Sequence, residues 1–101
     1  MNRIEQSEKT IKELFGDVDF QEAATDPDFL EILNRFVYGE VACQGNLSPT
    51  MKELITLVVL TTNGTPDQVA THVGAALNIG VSPMEIKEAL YQCAPYIGFA
   101  K

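Results

Sequence analysis

The stretch 47–83, "LSPTMKELITLVVLTTNGTPDQVATHVGAALNIGVSP", decides the fold. One local signal occurs in it three times, at Ser48-Pro49, Thr65-Pro66 and Ser82-Pro83. The hydroxyl oxygen accepts an orphan backbone N–H at a helix start. Proline at the first helical position loses nothing, because its missing N–H would be unpaired there anyway. Asp26-Pro27 carries the same signal earlier in the chain. Thr65-x-x-Gln68 and Ser82-x-x-Glu85 extend two of these starts into capping boxes. Asn63-Gly64, Gly80 and Gly98 supply the stops expected of C-terminal caps. The spacing predicts helices over 3–15, 27–39, 49–62, 66–79 and 83–97.

The apolar periodicity agrees. Phe29, Leu30, Leu33, Phe36 and Val37 recur on one helical face, as do Ile86, Leu90, Cys93 and Ile97. Leu54, Ile55, Leu57, Val58, Val59 and Leu60 make helix 49–62 apolar nearly all round, so it should be central. No alternating strand pattern is present, and the fold class is all-α: a bundle of about five helices. The short turns make the last three helices successively antiparallel. Reflection about Gly64 sets His72 opposite roughly Thr56, with Glu53 about one turn away, about 4.5 Å along the axis. Reflection about Val81 sets His72 opposite roughly Leu90, with Cys93 again about one turn away. Glu53, His72 and Cys93 can therefore share one layer, provided their faces agree.

Composition narrows the function. A chain of 101 residues fits a single domain spanning 1–101. Its net charge of −7, with Arg3 and Arg35 as its two arginines, excludes the basic surface that a nucleic-acid partner requires. It provides no polybasic membrane anchor either. The apolar run at Leu54–Leu60 is far short of the ~20 residues needed to span a bilayer. The charged N-terminal stretch lacks the apolar core of a secretion signal, so a cytoplasmic location is expected. One histidine without clustered cysteines does not make the usual closed metal site, and no phosphate-cradling glycine loop occurs. No metal or cofactor is expected.

The residues with chemistry to offer are few. His72 is the single histidine, on a helix of small apolar residues. Beside a carboxylate it would form a general acid–base pair, the carboxylate fixing the tautomer. Otherwise it is an ordinary structural histidine. Glu53 gains functional weight only from its reach to His72, since a carboxylate in a first turn is also favoured by the helix dipole. Cys93 lies on an apolar stripe, where thiols serve as small hydrophobes. Cys43 lies in the loop "GEVACQGNLSP" (39–49), near a helix N-terminus that can activate a thiol. No C-x-x-C joins them. Tyr91 and Tyr96 near the last helix end can donate hydrogen bonds to a ligand.

From Leu47 to Lys101 the chain resembles the carboxymuconolactone decarboxylase family, whose superfamily includes the alkylhydroperoxidase AhpD. The likeness rests on the Leu-Ser-Pro start, Lys-Glu-Leu-Ile-Thr-Leu, His72 followed by valine and Gly-Ala-Ala-Leu, and Gly80-Val-Ser-Pro-Met-Glu-Ile. The preceding "FVYGEVACQGN" resembles the lead-in of short members, and the family core is expected over about 27–101. The resemblance implies an all-helical trimer or hexamer with active sites near subunit interfaces. The peroxidase branch's glutamate falls on Glu53, while its two cysteines fall on Thr65 and Gln68, so that dithiol is missing here. The decarboxylase branch removes CO2 from a carboxylated lactone and moves a proton. That implies His72 as acid–base and Glu53 as its orienting carboxylate, with Cys43, Cys93 and Tyr96 lining the pocket. Lys52 stands at a substrate-binding position where many decarboxylases carry arginine, whose carboxylate fork lysine lacks. A thiol-dependent peroxidase or reductase using Cys43 and Cys93 is the alternative, and a non-catalytic oligomeric module a third reading.

Overall fold

Capping chemistry at four of the five helix starts explains where those elements begin in the computed structural model, which describes residues 2–17 and 26–98. The helices are α1 (Arg3–Phe15), α2 (Pro27–Gly39), α3 (Pro49–Asn63), α4 (Pro66–Asn78) and α5 (Pro83–Ile97), with a 3-10 turn at Val41–Cys43. No strand occurs among the described residues. Asn2, Asp26, Ser48 and Ser82 each accept a backbone N–H with the side chain, and Ser82 with Glu85 closes a full capping box.

The capping box expected at Thr65 does not form. Thr65 also closes the end of α3: its backbone N–H bonds the Leu60 carbonyl. Its hydroxyl donates to that same carbonyl, which turns the oxygen away from α4. The adjoining Gly64 takes the left-handed conformation, φ 72° and ψ 44°, and this makes the α3–α4 turn tight.

The chain divides into two compact units, 1–46 and 47–101. In the first, α1 packs on α2. Gly39 permits close approach, since a Cβ there would sit 2.5 Å from the Arg3 carbonyl oxygen. Arg3 pairs with Glu40 at 2.7 Å, and Phe15 meets Tyr38 edge-to-face at 5.6 Å. In α1, Ser7 and Leu14 are buried, and no residue of α2 is. Its apolar stripe of Phe29, Ile32, Leu33 and Phe36 is exposed, Phe29 by 64%.

The second unit has a core of its own. α3 packs against both α4 and α5, as the central position read from its sequence requires. Leu57, Ala76, Val81 and Ile86 form the buried cluster, with Leu54, Val69, Val73, Ile79 and Leu90 around it. One side of α3 remains open, where Met51, Ile55 and Val59 are exposed. No helix among the described residues is long and apolar enough to cross a membrane.

Candidate active site

Helical spacing aims the two ionisable side chains of the second unit at each other. On α3, Glu53 lies four residues before Leu57, so the two project from the same side of the helix. Leu57 is wholly buried against the core, and this fixes the direction in which Glu53 points. On α4, His72 shares its stripe with Ala75 and Ala76, three and four residues on, both buried. Residues this small leave room for an imidazole between closely packed helices. The turn at Gly64 folds α4 back along α3, and His72 Nδ1 hydrogen-bonds Glu53 Oε1. A carboxylate can only accept, so Nδ1 carries the proton and the second ring nitrogen, Nε2, is the basic one.

Both partners are withdrawn from water, His72 at 8% exposure and Glu53 at 5%. A carboxylate this deep is tolerable only with a partner, and the imidazole supplies it. The apolar cluster flanks the pair along both helices, through Leu57 one turn beyond Glu53 and Ala76 one turn beyond His72. The arrangement is an imidazole locked in one tautomer in dry surroundings, suited to holding and transferring a proton.

The other candidates have surroundings of their own. Cys93 is buried on α5, its Sγ donating to the Ala89 carbonyl. It lines a small hollow of about 260 Å³ with Val58 and Thr62 of α3 and Tyr96. The α3 residues that share this hollow are thus about one and a half to two and a half turns beyond Glu53. Tyr96 is 80% exposed. Lys52 is half-buried in the first turn of α3, where its carbonyl accepts from Thr56. Cys43 belongs to the first unit and is exposed, its Sγ donating to the Tyr38 carbonyl with the Thr10 hydroxyl 3.9 Å away. Both thiols are free. Tyr91 lines a larger open hollow of about 920 Å³ between the start of α4 and the end of α5. Thr61 also belongs to that hollow, and its buried hydroxyl has no hydrogen-bond partner. Nothing in the sequence marks Thr61, because the orientation of a helical threonine depends on its neighbours in space.

Residues 27–101 match the carboxymuconolactone decarboxylase family. Over 71 residues the chain is 35% identical to 4-carboxymuconolactone decarboxylase of Acinetobacter baylyi. The match takes in 70% of this chain and 53% of that protein. The chain therefore spans about half the length of the curated relative it matches.

Proposed function

The chain belongs to the carboxymuconolactone decarboxylase family, and from that premise we propose that it carries out acid–base chemistry on a small carboxylated lactone or keto acid. The buried hydrogen bond between His72 and Glu53 is the observation that carries this reading. Loss of CO2 leaves an electron pair on the carbon that bore the carboxylate, spread into the neighbouring carbonyl. That carbon must take up a proton. His72 first takes a proton from solvent at Nε2, Glu53 holding the ring and balancing the imidazolium that forms, and then delivers that proton to the carbon and returns to the neutral imidazole. Lys52 would attract the substrate carboxylate as a point charge. Cys93 and Tyr96, on α5 of the same unit, would border the substrate. The family name of the relative supports the reaction class, and the dry, tautomer-locked imidazole supports the role of His72.

The test is turnover of a panel of carboxylated lactones and β-keto acids by the wild type, His72→Gln and Glu53→Gln. Loss of the acid–base group is expected to lower kcat by about a hundredfold or more, and loss of the orienting charge by less. Unchanged turnover in His72→Gln would remove His72 from the chemistry. Turnover abolished by Cys43→Ser or Cys93→Ser, but not by His72→Gln, would favour the thiol reading.

Self-association, as a trimer or hexamer, is part of the proposal. The exposed stripes on α2 and α3 support it, since apolar surface of this extent is normally covered in a partner interface.

A further inference from the structure

We infer that the last turn of α5, residues 95–97, is a hinged flap that closes over the Cys93 thiol and sets the rate at which reagents reach it. Three observations converge on this turn. Pro95 lies inside α5, where it has no N–H to give the Tyr91 carbonyl and its ring crowds that oxygen. The turn is thus joined to the body of the helix by one hydrogen bond fewer than a regular turn. Its side chains hold it down weakly, since Pro95 and Tyr96 are exposed and Ile97 is half-buried. Ile97 borders both the larger and the smaller hollow of the second unit, so open space lies on two sides of it.

Beneath the turn lies the thiol. Cys93 is four residues before Ile97 on the same face of the helix, and a helical side chain leans over the turn before its own. Ile97 therefore covers Cys93, and the two share the wall of the smaller hollow with Val58 and Thr62 of α3. With the flap closed Cys93 is buried, its Sγ donating to the Ala89 carbonyl. Both ends of that bond precede Pro95, so lifting the turn bares the sulfur without breaking it. The core cluster of Leu57, Ala76, Val81 and Ile86 lies outside the flap, so the opening is local and costs far less than unfolding. Cys43, exposed in the first unit, has no such cover. The device is separate from the acid–base reading, since neither His72 nor Glu53 borders the smaller hollow.

Alkylation of the whole chain by iodoacetamide, followed at each cysteine by peptide mass spectrometry, tests it. Cys43 should react as an exposed thiol, and Cys93 about tenfold more slowly or slower still. Sub-denaturing urea should raise the Cys93 rate only slightly, because opening one turn exposes little surface. Pro95→Ala, which restores the missing hydrogen bond with a helix-favouring residue, should slow the labelling of Cys93 by about tenfold. Ile97→Ala, which removes the cover, should speed it by a similar factor. Cys43 should react alike in all three proteins. Labelling of Cys93 as fast as that of Cys43, a Cys93 rate with the full urea dependence of global unfolding, or no slowing in Pro95→Ala would each overturn the inference. So would a Cys93 rate that falls as protein concentration rises, which would put the cover on a partner copy. The labelling involves no turnover, so its outcome is independent of whether His72 is catalytic.

Discussion

The two units of the chain start from the same sequence devices and put them to different use. α2 and α5 each open on a capped proline and each carries an apolar face at helical spacing. In the second unit that face is consumed: Ile86 and Cys93 are buried, and Leu57, Ala76 and Val81 complete a core. In the first unit no residue of α2 is fully buried, and Phe29, Ile32, Leu33 and Phe36 remain open. Amphipathic spacing determines that a helix forms and which side is sticky. It does not determine what the side sticks to. The unit that closes on itself is also the one that holds a buried ionisable pair, because only a closed core keeps water from Glu53 and His72.

The sharpest way to probe this contrast is to truncate one apolar side chain in each unit. Leu57→Ala should cost about 2–5 kcal/mol, measured by denaturant unfolding, and the cost should be the same at every protein concentration. If the proposed self-association covers its face, Phe36→Ala should instead cost more as protein concentration rises. A concentration-independent loss at Phe36 would break the comparison. Light scattering sharpens it further: on the proposed self-association, the wild type should scatter as an oligomer and the double variant Phe29→Lys, Phe36→Lys as a smaller species, while the fold of the second unit persists. A smaller effect separates two helix starts that look alike in sequence. Ser82→Ala should lose about 1 kcal/mol with the capping box, whereas Thr65→Ser, which keeps the hydroxyl donated to Leu60, should lose under about 0.5 kcal/mol.

Those two starts also mark how far the sequence could be read. All five helices were legible, because caps, prolines and glycines act locally and each helix carried its own. The Glu53–His72 pair was legible through the antiparallel hairpin, although reflection about Gly64 set His72 nearer Thr56. That reading already put Glu53 one turn from the Thr56 level, within reach of a glutamate side chain, and the hydrogen bond forms. Cys93 was read into the same layer, and the structure gives it Val58 and Thr62 as neighbours on α3. Register between helices that are not adjacent in sequence is set by side-chain packing, which no local signal encodes. The unpartnered hydroxyl of Thr61 and the openness of the α2 face were illegible for the same reason.

The tight turn at Gly64 has a consequence for the order in which the protein acquires its chemistry. Glu53 and His72 are 19 residues apart, and one short hairpin brings them together. Closing so small a loop costs little chain entropy, and contacts this local belong to the fast events of folding. On a ribosome releasing the chain from its N-terminus, α3 and α4 emerge before α5. The pair can therefore meet before the rest of its apolar shelter exists, and α5 arrives last, to dry a site already assembled.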